Sequence, residues 1–356
     1  MQPDLTTPGG AGSPAAVTQR SRLALVGRAT LELGLRLGGL FIAILIVGAV
    51  FTLLEPNFLT VDVIVSILRS MSSIAIIGLG LTLVIVVGEI DLSFGATYGV
   101  AANVLAVLWI LHGVSVYLAI LLALGAGIAV GIFNGMLVTL LKIPSFIVTL
   151  GTYNLLYGVS LYISKSSTYN PAYPPPDAEI PKGELDFFTG LSTQSLPRGI
   201  SAEVLWLVGL AVVIGFLLHR SLFGFRLTAI GGNPLAATLA RLPVRRYKIL
   251  AFVLCGLLAA AAGILDFAFI GSVQPDAGLA FTFPVFAAVI IGGASLAGGR
   301  GTVVGTLAGS LLLATLSTGL ALTAAGPFAQ QVFLGAVTIG AVALDLYTTK
   351  VATRVA

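Results

Sequence analysis

Seven polar side chains interrupt long apolar runs and are the candidates for chemistry: Arg69, Glu89, Asp91, Asn103, Asn134, Asn154 and Gln274. None of them has the spacing of a catalytic set. Glu89 and Asp91 are two residues apart, so on a helix they would face roughly opposite sides and form no dyad. Asp91 or Ser93 instead precedes a helical run, where a carboxylate or hydroxyl caps an N-terminus. The other reading of these acids, binding of a coupling proton, has no nearby His or Lys in the sequence. Arg69 falls about seven residues into an apolar run, near 10 Å along a helix at about 1.5 Å per residue. There it either snorkels to the interface or faces a solute pathway. Asp266 stands late in another run and is followed by Gln274 and Asp276; it is a functional intramembrane acid or an acid exposed at the mouth. His112 and His219 lie near opposite ends of different runs, and Cys255 is the one cysteine. No metal site and no internal disulfide follow from these.

Two further stretches have a local logic. Gly292, Gly293, Gly298, Gly299 and Gly301 surround Arg300. Backbone N–H groups in such a run can hold phosphate, but no Gly-Lys-Ser/Thr follows, which excludes a P-loop. A tight turn between packed helices is the better reading. Residues 229–242 hold the other stretch. Asn233 can cap a helix whose first residue is Pro234. Leu235, Thr238, Leu239 and Leu242 recur at i, i+3, i+4 and i+7 and give one apolar face, with Arg241 beside it and Pro243 ending the helix. Such a helix is too short to span a bilayer. It rests on headgroups or inserts into a groove of a soluble partner.

These residues must be positioned by elements built for lipid. Of 356 residues, 57% are hydrophobic and 9% charged, and the mean hydropathy is +1.07. Soluble domains carry roughly 25% charged residues, so the chain is an all-α polytopic membrane protein. The 43 glycines suit close helix packing in lipid. Ten apolar segments are expected near 37–54, 62–87, 93–111, 116–138, 146–163, 203–219, 249–270, 284–299, 302–320 and 328–347. The second, with Gly78 and Gly80, is expected to tilt or break. Residues 1–36 form a basic tail whose first nineteen residues read as disordered, with no cleavage pattern after the first apolar run. A C-terminal tail occupies 348–356.

Charge sets the expected orientation. Arg20, Arg22, Arg28, Arg36, Lys142, Arg220, Arg226, Arg241, Arg245, Arg246, Lys248, Arg300, Lys350 and Arg354 fall on one side with both termini. Only Lys165, Lys182 and Arg198 fall on the other. The first side is therefore cytoplasmic, and topology alone accounts for the net charge of +4 without a nucleic-acid partner. On this count the loop 164–202, with six prolines and the acids Asp177, Glu179, Glu184 and Asp186, is extracytoplasmic. It is a contact surface for an external partner or an unstructured connection. The basic loop 219–248 is cytoplasmic. Val87–Gly95 also echoes Ile291–Gly299, either as a parallel repeat of the kind transporters carry or as chance likeness between glycine-rich hairpins.

Taken in order, several blocks resemble the permease subunits of bacterial ABC importers of ribose and related monosaccharides. They are Ile67-Leu68-Arg69, Gly80–Ile85, Gly88–Gly95, Ile143–Thr152, Ala229–Pro234, Ser272–Gly278, Ala288–Leu296 and Gly298–Gly301. The resemblance covers the chain from about residue 40 and implies a ten-helix permease of the type II importer kind, with no catalytic residues, metal or cofactor of its own. It implies a pair of permeases, as homodimer or mixed pair, in the bacterial cytoplasmic membrane. ATP and Mg would be held by cytoplasmic ATPase subunits, and an external binding protein would deliver the sugar. Carried onto this sequence, residues 233–242 would be the helix that meets the ATPase. One departure is Glu89, where the family pattern usually has glycine. The competing readings are import of a nucleoside or other small polar solute by the same mechanism, and a gradient-driven facilitator.

Overall fold

The computed structural model describes residues 38–193, 199–323, 326, 329–333 and 335–340. The expected tails at 1–36 and 348–356 lie outside these. Among the described residues the chain is helical, with no strand beyond one isolated bridge between Tyr169 and Val273. Seven helices are long and apolar enough to cross a bilayer. They are α2 (Val61–Val86), α3 (Phe94–Ala106, continued by a π turn to Leu111), α4 (Val116–Leu140), α5 (Ser145–Ile163), α7 (Ala202–His219), α10 (Val244–Ile270) and α12 (Val303–Leu322). Three shorter apolar helices, α1 (Gly38–Leu54), α11 (Thr282–Ile291, preceded by a 3₁₀ turn from Leu279) and α13 (Ala329–Gly340), fall on the remaining expected segments. Shorter helices α6 (Lys182–Thr193), α8 (Leu222–Gly232) and α9 (Pro234–Leu239) lie in the connections.

The centre of the bundle is α10, packed against α4, α2, α3 and α6. Its close approach to α4 requires glycine. A Cβ at Gly127 would stand 2.4 Å from the Gly256 carbonyl oxygen, and one at Gly131 would stand 2.4 Å from that of Phe252. This is the small-residue packing that lipid favours, because apolar side chains gain nothing by leaving apolar solvent.

The second segment does not break. α2 runs unbroken for 26 residues, about 39 Å at the usual rise, and every residue from Ser72 to Val87 is buried. Gly80 admits the α10 backbone rather than bending α2, since a Cβ there would lie 2.8 Å from the Cα of Cys255. The eighth segment is shorter than expected. α11 stops at Ile291, and residues 292–302 form the anticipated glycine turn.

The long proline-bearing connection is also more ordered than its sequence suggests. Within it, α6 inserts Phe188, fully buried, between Trp109 and Phe267, with ring centroids 5.0 Å from each. Glu184 is turned inward, and its Oε2 accepts from Trp109 Nε1 at 2.8 Å and the Val116 amide at 2.9 Å. The amide of Val116 opens α4, so this acid caps a helix in another part of the chain.

Candidate functional site

Three polar regions lie along the bundle. The first is at the end carrying Arg220, Arg226, Arg241, Arg245, Arg246 and Lys248, here called the basic end. Asn233 links α8 to α9 and accepts from the Ala236 amide at 2.9 Å, with Pro234 as the first residue of α9, as the sequence implied. The helix itself is shorter than the expected 233–242. It closes as the Leu242 amide bonds Ala237 O at 3.0 Å and the Arg241 amide bonds Thr238 O at 2.9 Å. Arg241 takes φ 58° there, the left-handed position that usually goes to glycine.

The expected single apolar face of α9 divides. Leu242 packs on the core, and buried Ala237 anchors the helix. Leu235 and Leu239 are 72% and 78% exposed, and Thr238 turns its hydroxyl back to Pro234 O.

Beneath α9 the backbones of three segments meet on glycine. The Gly299 amide bonds Val86 O at 2.9 Å. A Cβ at Gly231 would lie 1.8 Å from Val86 O, and one at Gly298 would lie 2.7 Å from Gly231 O and 2.9 Å from Gly88 Cα. The ends of α2 and α8 and the 298–301 turn are thus in direct backbone contact. Lys248, near the start of α10, pairs with Glu89 beside this junction. Glu89 is therefore tied to α10 at the basic end.

The sequence echo has a structural counterpart here. The amides of Gly88 and Glu89 close α2 on Ile85 O and Val84 O, and those of Gly293 and Ala294 close α11 on Ile290 O and Val289 O. Gly88 and Gly293 have φ 85° and 93°. The two caps are the same motif, one residue out of step with the sequence alignment.

The second region is buried within the bundle. Asp91 Oδ1 accepts from the Ser93 amide at 2.7 Å and the Ser93 hydroxyl at 2.6 Å. Asn134 donates to Ser93 Oγ at 2.8 Å, and Thr152 donates to Asn134 Oδ1 at 2.7 Å. The Cys255 thiol, eleven residues into α10, neighbours Asp91, so the non-helical 87–93 connection re-enters about 16 Å along that helix. Irregular backbone at such depth is tolerated only where protein covers it. Here Asp91, Ser93, Asn134 and Thr152 are all buried, and their hydrogen bonds join packed elements. Asn103 behaves alike: its Nδ2 holds the Gln274 carbonyl at 3.0 Å and Ser160 Oγ at 3.0 Å. The Gln274 side chain is exposed at the mouth of a cavity of about 250 Å³ between α3 and α10. Asn154 lies on an exposed face of α5 with Gly151, Leu155 and Tyr162.

The third region is at the opposite end of the bundle, near α6. Arg69 Nη2 donates to Asp266 Oδ1 at 2.9 Å, and its guanidinium lies 3.9 Å from the centre of the Phe269 ring. Asp266 is buried, not exposed at a mouth, and also accepts from Tyr98 Oη at 2.6 Å and Ser73 Oγ at 2.9 Å. Glu203, fully buried, lies 3.0 Å from Ser73 Oγ and 3.7 Å from Arg69 Nε. Arg69 is held by α10 and borders an open cleft. That cleft, about 530 Å³, is walled by Arg69, Ser70, Ser73, Phe281, Ser317 and Gln330. Glu203, Ser73 and Tyr98 are not evident from the sequence, where Glu203 reads as an ordinary first-turn acid.

Comparison with known proteins places this arrangement. The family model described as branched-chain amino acid transport system / permease component matches residues 63–342. The ribose import permease protein of Escherichia coli (strain K12) is 35% identical over 309 residues, covering 85% of this chain and 92% of that protein. The ribose import permease protein of Bacillus subtilis (strain 168) is 38% identical over 315 residues, covering 86% and 90%. The fructose import permease protein of Rhizobium meliloti is 33% identical over 313 residues, covering 88% and 86%. No solved structure matches the chain. The chain belongs to this family of ABC-transporter permeases, and is a multi-pass membrane transport subunit rather than an enzyme.

Proposed function

We propose, proceeding from that membership, that the chain is the membrane-spanning subunit of an ATP-driven importer that moves a monosaccharide into the cytoplasm. The observation that carries the reading is near full-length similarity to permeases named for ribose and fructose import. Two features agree with it. The cleft beside Arg69 presents hydroxyls, an amide, a guanidinium and the Phe281 ring, groups that suit a sugar's hydroxyls and its apolar ring face. Its volume falls in the usual range of small-molecule sites, roughly 300–1,000 Å³. At the basic end, which the charge count makes cytoplasmic, Leu235 and Leu239 project from a helix whose base is fixed.

In this mechanism a pair of permeases encloses the path, and an external binding protein releases sugar to the end bearing Arg69. ATP binding in partner subunits moves α9. Because α8 meets α2 and the 298–301 turn backbone to backbone at Gly231, little side-chain compliance at that point absorbs the motion. The displacement passes to the two helices that also border the cleft, α2 and, through its preceding turn, α12. A chain acting this way performs no bond chemistry and needs no cofactor of its own.

Vesicles containing this chain, its cognate ATPase and the binding protein test the reading with a panel of pentoses, hexoses and nucleosides. The expected result is uptake of a monosaccharide only with ATP inside and binding protein outside. Uptake by the chain alone down a gradient would overturn the ATP-driven mechanism, and selective uptake of nucleosides would overturn the solute.

A further inference from the structure

Ser73, Glu203 and Asp266 pose a problem of proton counting. Ser73 Oγ is 3.0 Å from Glu203 Oε1 and 2.9 Å from Asp266 Oδ1. A serine hydroxyl carries one hydrogen, and an ionised carboxylate only accepts. If both acids were ionised, one of these two short contacts would set acceptor against acceptor. The charge count agrees. Among the described residues, Arg69 is the one cation in ion-pair distance of either acid. Two carboxylates against one guanidinium would leave a net negative charge among side chains that are 0% and 2% exposed. An unpaired buried charge is neutralised sooner than kept.

The partners decide which acid holds the proton. Asp266 receives Arg69 Nη2 on Oδ1 and Tyr98 Oη on Oδ2, besides Ser73. It is furnished as an anion. Glu203 has one hydrogen-bond contact, with Ser73; its Oε2 has no hydrogen-bond partner, and Arg69 Nε stands 3.7 Å from it, beyond hydrogen-bond reach. A buried carboxylate oxygen without a donor is costly, whereas the carbonyl oxygen of a neutral acid tolerates that position better. We propose that Glu203 is a proton-binding site, held as a carboxylic acid whose Oε1–H donates to Ser73 Oγ while the Ser73 hydroxyl donates to Asp266. The cluster is then neutral, an Arg69–Asp266 ion pair extended by a neutral acid, and it ties α2, α3, α7 and α10 together. This inference rests on the cluster alone and is independent of the solute or the ATPase.

Infrared spectroscopy of the purified full chain in lipid nanodiscs, with glutamate labelled by ¹³C at the side-chain carboxyl, tests it at neutral pH. The expected spectrum has a label-sensitive carbonyl stretch of a protonated glutamic acid. That band is lost in Glu203→Gln, and Ser73→Ala shifts it without removing it. Absence of the band from the unmodified chain would overturn the proposal without reliance on any variant. So would its survival in Glu203→Gln, or failure of Glu203→Gln to fold, since glutamine is the neutral isostere.

Discussion

Arg69 and Asp266 show what a residue's type can and cannot reveal. An arginine and an aspartate in apolar runs are legible as functional or structural commitments, because charge in a bilayer is expensive. Their pairing across 197 residues is not legible, since nothing local in either run encodes it. The same holds for Glu89, whose partner Lys248 lies 159 residues away, and for the chain from Asp91 to Thr152, which takes up two of the candidates, Asp91 and Asn134. The pair predicts unequal costs within one cluster. Asp266→Ala removes three accepted hydrogen bonds and leaves Arg69 without its best counter-charge; breaking a buried pair in this way costs about 3–5 kcal/mol. Glu203→Gln keeps a neutral donor toward Ser73 and should cost far less. Thermal unfolding of both variants in the same detergent checks the order, and equal losses would count against the assigned roles.

At the scale of elements, the apolar segments were readable because length and hydropathy are properties of contiguous residues. What they missed are features set by neighbours. α6 hides between prolines, and only its burial of Phe188 between Trp109 and Phe267 explains why it forms. Phe188→Ala should destabilise the fold by about 3–5 kcal/mol, the usual cost of emptying a buried aromatic site, read as a lowered unfolding midpoint. Gly78 and Gly80 resembled a break in α2, yet they mark the tracks along which other helices approach. The same physics makes Gly256 irreplaceable: its Cβ would stand 2.2 Å from the Gly127 carbonyl oxygen, backbone that cannot yield. Gly256→Leu should abolish the monodisperse peak in size-exclusion chromatography, whereas Gly209→Leu, with nothing near its absent Cβ, should leave it intact.

For the whole molecule, the proposed mechanism joins the six-residue helix α9 to a cleft at the opposite end of the bundle. The sequence marked that helix by its Asn-Pro start, but it gave Leu235, Leu239 and Leu242 one common face. The fold assigns Leu242 to the core and leaves the other two outside. That division narrows the docking surface to two side chains. Leu239, 78% exposed, can accept a charge without disturbing the interior. The decisive measurement is therefore ATP-dependent sugar uptake by vesicles holding Leu239→Asp with the ATPase and binding protein, alongside co-purification of the ATPase. The account predicts a variant that folds with an unchanged unfolding midpoint, loses ATPase association by at least tenfold, about 1.4 kcal/mol, and loses uptake with it. Retention of both ATPase association and uptake in Leu239→Asp would contradict it.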